Sequence, residues 1–327
     1  MKKNVRFFIK LICALLPLLL LIMYTALVPF GYMDSEYPGW KYTDNVISDA
    51  NGLPDSVILG DSRAMADLIP SEEDLPAVNL AVGGATSIEM YYALDNYIKN
   101  NGVPENVIIM FAPFHYTVID NFWTRTAYFN FLSASEVKDL ISYAKAAGSE
   151  TIIRNGYKND FMSYFTRFPD KYLPALLNAR FFGRYSANSQ AYSKIAENYG
   201  YSEFGTADGC SDLNYEASYE HMHLTGDAVL LDMYLDRLLK LCSDNNINTV
   251  LAVPPMNASS FNALKPSYVS ELSDYFNNLK IKYPAITVDG EIPCYDDIYF
   301  GDSSHLNRKG AEKFTKEFSE KYMQHAE

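Results

Sequence analysis

The chain has 327 residues, 48% of them hydrophobic, with 27 Lys plus Arg against 40 Asp plus Glu for a net charge of −13. That length buries a substantial core and suits one large domain or two small ones. An aromatic share of 14% excludes intrinsic disorder, a single long apolar run excludes a multi-span transporter, and the acidic balance argues against a nucleic-acid partner, which needs basic surface to displace counterions.

The charge is also unevenly placed. Lys2, Lys3, Arg6 and Lys10 are the only charged residues among the first thirty, which leaves 23 basic against 40 acidic residues, or −17, for the remainder. From Leu11 to Phe30 no charge interrupts the apolar run. Twenty such residues form roughly 30 Å of helix, enough to cross a bilayer core. The flanking cations orient the N-terminus to the cytoplasm, so everything after Phe30 is expected outside. A cleaved signal peptide would end in a small-x-small site, and Met23 to Pro29 offers none that convinces. Residues 1–30 are therefore read as a signal anchor at the cell membrane. Cys13 falls in the span. Cys210, Cys242 and Cys294 lie outside it, too few and too odd in number for a disulfide framework. Cys242 reads as a buried small hydrophobe, and a Cys210–Cys294 bridge stays open.

Residues 31–54 are polar, with interspersed Tyr, Pro and Gly, and read as a tether. A repeating unit follows over 55–327. Residues 56–60 form a short apolar strand, followed by Asp61, Ser62 and a short helical pattern. A second strand, 77–82, ends at Gly83 and Gly84, and Ser87 is placed to cap a helix over 88–99. Residues 107–111 are a third strand. Thr225 can cap a long amphipathic helix to Leu241, residues 249–253 are a fourth strand, 266–282 a helix, 285–288 a fifth strand, and 307–322 a last helix. Continuous Val/Ile/Leu strands alternating with amphipathic helices predict an α/β three-layer sandwich, its five-stranded parallel sheet covered on both faces. The connection of about 130 residues between strands three and four exceeds an ordinary crossover. It carries helical patterns at 135–147, 174–182 and 191–198 and aromatics such as Trp123, Tyr157 and Phe165. It reads as a helical insertion, about 120–224, walling the strand ends. Its aromatics are core by default, with a sugar-stacking platform as the sharper reading.

In parallel sheets the working residues sit beyond the C-terminal ends of the strands, and two motifs fall there. Gly60-Asp61-Ser62-Arg63 places a serine on a tight strand-to-helix turn, exposing its hydroxyl beside backbone N–H groups that can hold a developing oxyanion. A helix-capping serine suits the same position, so this motif alone leaves both readings open. At the other end of the chain, Asp302 stands three residues before His305 in Asp302-Ser303-Ser304-His305-Leu306-Asn307. Such an Asp can accept the Nδ1 proton and leave Nε2 as a base toward a serine. Ser, His and Asp on one edge of one sheet make a nucleophilic triad the economical account of Ser62, Asp302 and His305.

These motifs resemble the SGNH (GDSL-type) hydrolase superfamily over roughly residues 55–115 and 245–325. The resemblance makes Ser62 the nucleophile. It assigns Gly84, in Gly83-Gly84, as an oxyanion N–H donor beside that of Ser62, and matches the last block at Asp302 and His305, with Leu306, Asn307 and Gly310 extending it. It implies a flavodoxin-like sheet. The family's third block, Gly-x-Asn-Asp after strand three, has no counterpart: the stretch is Phe111-Ala112-Pro113-Phe114-His115, without an Asn to donate to the oxyanion. The anchor, the insertion and the degenerate third block are similar to the membrane-anchored branch that assists O-acylation of cell-envelope polymers. That likeness implies a serine esterase or O-acyltransferase acting on a cell-envelope polysaccharide or acylated glycan, with a multi-span membrane-bound O-acyltransferase as partner. The alternative is a catalytically inactive SGNH-like domain that binds polysaccharide or docks an assembly partner.

Weaker candidates remain. His115, just past strand three, and Arg63, inside the serine motif, are placed to bind substrate; Arg63 can equally brace Asp61. His221 and His223 share one face of a strand, but lack a third metal ligand. Asn257-Ala258-Ser259 has the glycosylation pattern. No cofactor and no metal is called for.

Overall fold

The computed structural model describes residues 2–27, 34–71, 73–166 and 184–323. Helix α1, Lys2–Leu27, contains the apolar window Asn4–Leu21, with a mean hydropathy of 2.0 and none of it buried. By length and composition it is able to cross a membrane.

Residues read as a tether instead form α2, Tyr37–Ser48, which is packed into the body. Trp40, Thr43, Val46 and Ile47 recur at helical spacing and are buried. The intervening Tyr, Lys and Asp had disguised that stripe. The Trp40 ring lies 5.5 Å from that of Phe129 and 5.2 Å from that of Phe131. The helix is fixed by Asn45, whose Nδ2 donates to Tyr192 Oη at 2.7 Å, and by Asn101 Nδ2, which donates to Ile47 O at 3.0 Å.

Strand β1, Ser56–Gly60, leads into α3, Ser62–Asp67; β2, Val78–Asn79, into α4, Ser87–Asn101; and β3, Asn106–Met110, into a 3₁₀ turn, Pro113–Tyr116. Then come a π-helical turn, Phe122–Thr126, and the helices α5, Ala134–Ala147, α6, Tyr157–Phe165, α7, Arg184–Glu197, and α8, Gly226–Asp244. Strands β4, Asn248–Ala252, and β5, Met256–Asn257, precede α9, Ala258–Ala263, and α10, Pro266–Lys282. Strands β6, Thr287–Val288, and β7, Cys294–Tyr295, precede α11, Arg308–Tyr322. The helical pattern expected at 174–182 lies outside the described residues.

The sheet is parallel throughout, in the order β2-β1-β3-β4-β6, with β5 and β7 forming a separate parallel pair. From β1 the chain moves first to one neighbour and later to the other. The C-terminal ends of β1 and β3, paired as far as Gly60 and Met110, therefore flank the point where the winding reverses. The second strand is shorter than the apolar run suggested. Past Asn79 the chain still leans on β1, with Leu80 N donating to Ile58 O and Val82 N to Gly60 O. The cap of α4 is Thr86 rather than Ser87: its side chain and that of Glu89 close a capping box, while Ser87 Oγ donates to Leu231 O. One apolar cluster wraps the sheet; a second is built where α4, α5, α6 and α8 meet, around Ile88, Leu140, Tyr164 and Leu231. Trp123, Tyr164 and Phe165 contribute to that second cluster or pack against it, so those aromatics are core; Tyr157 is exposed.

Because α2 is core rather than linker, Trp40→Ala should cost about 3–5 kcal/mol of stability. Urea unfolding of the full-length protein in detergent, followed by far-ultraviolet circular dichroism, measures this loss; a segment that merely tethered would lose nothing.

Candidate active site

Gly60 ends β1 where nothing larger fits: a Cβ there would collide with the carbonyl of Met110 and the Cβ of Ala64. Asp61, not Ser62, is the N-cap of α3, its Oδ1 accepting from Arg63 N at 2.9 Å. The Ser62 hydroxyl is thereby spared a capping role. It meets His305 instead, with Oγ 2.8 Å from Nε2. On the far side of the ring, Nδ1 lies 3.0 and 2.9 Å from the two Asp302 oxygens. An ionised carboxylate only accepts, so Nδ1 carries the proton and Nε2 is left to accept from Ser62.

The Asp302 loop is locked by its own backbone, since Oδ1 also accepts from the Ser304 and His305 N–H groups at 2.8 Å. Burial opposes the Asp302 charge, but these bonds and the His305 ring outweigh it and hold the carboxyl down to about 2. Phe204 covers the imidazole, its ring stacked at 4.8 Å and 20°. From α3, Asp67 Oδ1 accepts the Leu306 N–H at 3.0 Å, tying the histidine's loop to the serine's helix. Burial pushes the Asp67 carboxyl well above its ordinary value.

Gly84 adopts φ +73°, a left-handed conformation that suits glycine. Around it the backbone donors divide sharply. Arg63 N is taken by Asp61, Ala85 N by Val82 O and Thr86 N by Glu89. Among the described residues, the N–H groups of Ser62, Gly83 and Gly84 donate to no other protein group. These are the donors left at the sheet edge for an oxygen that gains negative charge.

Arg63 and His115, expected to bind substrate, are both buried and paired with carboxylates of the protein. Arg63 is 2% exposed and its Nη2 pairs with the equally buried Glu216 at 2.9 Å. The His115 side chain is 3% exposed, with Nδ1 2.6 Å from Asp61 Oδ2 and Nε2 3.4 Å from Asp120 Oδ1. Asp61 Oδ2 also accepts from Ala112 N at 2.7 Å, so one carboxylate joins the ends of β1 and β3 beneath Ser62. Burial works against the Asp61 charge, but His115, Arg63 and the Ala112 N–H keep its carboxyl below the ordinary value. Burial likewise disfavours a charged His115, yet Asp120 and Asp61 push its pKa up to about 9.

His221 and His223 sit on no strand. His221 is exposed and pairs with Glu271 at 2.6 Å, and His223 lies edge-on to Tyr219. No group of three or more His, Cys, Asp or Glu able to hold a metal occurs among the described residues. Cys210 and Cys294 are both free thiols. Asn257 is fully buried as the N-cap of α9, its Nδ2 donating to Asp212 O at 3.0 Å, which closes it to glycosylation in the folded chain. Sequence reasoning missed Asp67, Phe204 and Glu216. An acidic residue directly after the apolar run Ala64-Met65-Ala66 of a short helix was a readable sign for Asp67; nothing local marked the other two. Compared with known proteins, the chain matches no family model, no curated protein and no solved structure.

The His115 shift has a defined sign. Its pKa is raised from 6.5 to about 9 on folding, so its stabilisation is fully present below pH 6.5 and is lost as pH climbs to about 9. The stability advantage of the protein over His115→Asn should therefore shrink by about 1.4 kcal/mol per pH unit across that window. Urea midpoints measured at pH 6, 7.5 and 9 test it; a pH-independent gap would contradict it.

Proposed function

We propose that this chain is an extracytoplasmic, membrane-anchored serine esterase or O-acyltransferase of SGNH type, acting on cell-envelope glycans. One observation carries the chemistry: the hydrogen-bonded line from Ser62 Oγ through His305 to Asp302, at the C-terminal edge of a parallel sheet. The helix α1 supports the anchor, with the domain on the outer side. The β2-β1-β3-β4-β6 order supports the flavodoxin-like reading, and α5, α6 and α7 between β3 and β4 support the reading of a helical insertion.

In the reaction, His305 removes the Ser62 proton as Oγ attacks an ester carbonyl. Asp302 holds the ring in the required tautomer and stabilises the imidazolium. The Ser62 and Gly84 N–H groups receive the charge that develops on the carbonyl oxygen. His305 returns its proton to the departing alkoxide, leaving an acyl-enzyme on Ser62. Water or a glycan hydroxyl, deprotonated by the same ring, then releases the acyl group. An acyl-accepting glycan and a membrane-bound O-acyltransferase that supplies the acyl group are the partners this reading implies.

A fluorophosphonate probe should label the protein, with labelling lost in Ser62→Ala and His305→Ala. Turnover of a model acetyl ester should fall about 10³–10⁴-fold in Asp302→Asn. No labelling of the unsubstituted protein would favour the inactive binding domain instead. Transfer is separated from hydrolysis by supplying a saccharide acceptor. Acylated saccharide formed at the expense of free acid marks a transferase, whereas product ratios indifferent to acceptor mark an esterase.

A further inference from the structure

The stretch Phe111-Ala112-Pro113-Phe114-His115 after β3 carries no side-chain amide, and a guanidinium lies beside the glycine turn. Arg125 lies in the π-helical turn Phe122–Thr126, a rare geometry often found at functional sites. Its guanidinium is held edge-on by Glu36, at the N-terminus of α2: Nε is 2.5 Å from Oε2, and Nη2 donates to Oε1 at 2.7 Å. This two-point grip sets the plane of the guanidinium and leaves Nη1 pointing elsewhere.

Nη1 points at the glycine turn. A Cβ at residue 84 would collide with it, and one at residue 83 would lie 3.7 Å from Nη1 and 3.7 Å from Phe204 Cε1. Phe204 is the ring stacked on His305. Nη1 is thus packed on the Gly83-Gly84 backbone, which Phe204, the ring on His305, also approaches. Among the described residues it has no hydrogen-bond acceptor in the protein. Its placement is built in. Glu89, 1% exposed, accepts from Thr86 N and Thr86 Oγ1 on one oxygen and from Thr126 Oγ1 at 2.6 Å on the other. A single buried carboxylate thereby fixes both the helix that follows Gly84 and the turn that carries Arg125.

Resting on the function proposed above, we infer that Arg125 is a catalytic residue whose Nη1–H is the third donor to the oxyanion, in place of the absent amide. As the Ser62 Oγ–carbon bond forms, the carbonyl π pair moves onto oxygen and is received by Ser62 N–H, Gly84 N–H and Arg125 Nη1–H. The pair returns as the carbon–alkoxide bond breaks, and the alkoxide takes its proton from His305. A charged donor favours the full oxyanion over the neutral carbonyl, so it acts on kcat rather than KM. Asn121 is the rival, since its Nδ2 would be 3.1 Å from a Cβ on Gly84, but its side chain engages Asp120 and Thr124.

The experiment uses full-length protein in detergent with p-nitrophenyl acetate, a neutral ester without an anionic group to bind. Arg125→Ala should lower kcat about 10²–10³-fold with KM changed less than about threefold. Arg125→Lys should keep the thermal midpoint yet lose about tenfold or more in kcat, and Asn121→Ala should remain near the unsubstituted protein. Wild-type kcat in both Arg125 variants would overturn the assignment. So would a rise in KM confined to anionic esters, which would make Arg125 an anion-binding group, or a kcat loss in Asn121→Ala alone. If the unsubstituted protein neither turns over the ester nor takes a fluorophosphonate on Ser62, it is the esterase reading that fails.

Discussion

The buried Asp61 carboxylate is the joint on which the site depends. It receives the Arg63 N–H, the Ala112 N–H and His115 Nδ1, and so binds the start of α3 to the end of β3 one residue before the serine. A charge in that position is stable only while all its partners are present, because removing one member of a buried pair costs roughly 3–5 kcal/mol. That is a large share of the net stability of an ordinary domain. The sharp turn that presents Ser62 is therefore held by polar bonds at its floor, where apolar packing alone would leave it free to relax.

Two buried cation–anion pairs lie under the turn, Asp61 with His115 and Arg63 with Glu216. Glu216 belongs to the long connection between β3 and β4, as do Phe204 over the imidazole and Arg125 beside Gly84. That connection contributes to the floor, the cover and the rim of the site. Six residues of α3 carry three separate contacts of the site: Ser62 faces His305, Arg63 faces inward to Glu216, and Asp67 secures the loop bearing Asp302 and His305.

The parallel sheet was legible because its central strands are unbroken apolar runs ended by Gly or Pro, as at 56–60 and 107–111. Ser62 was legible because it stands just after a strand, where such sheets concentrate polar side chains, and Asp302 with His305 because their three-residue spacing lets the carboxylate reach the ring. The floor of the site was not, because a buried Arg63 or His115 is distinguished from an exposed one only by partners 153 or 54 residues away. The helix over 37–48 was missed for a local reason. Its apolar stripe is built from Trp, Thr, Val and Ile between Pro, Gly, Lys and Asp, a composition that resembles a linker unless the spacing is counted.

Glu36 links the rim of the site to the residue range that follows α1. Eight residues separate it from Leu27, and even a fully extended chain covers no more than about 30 Å between those two positions. With α1 seated in a bilayer, the guanidinium beside Gly84 is confined to a shallow layer above the lipid headgroups. The glycine turn would then meet only groups that come within that span of the membrane surface.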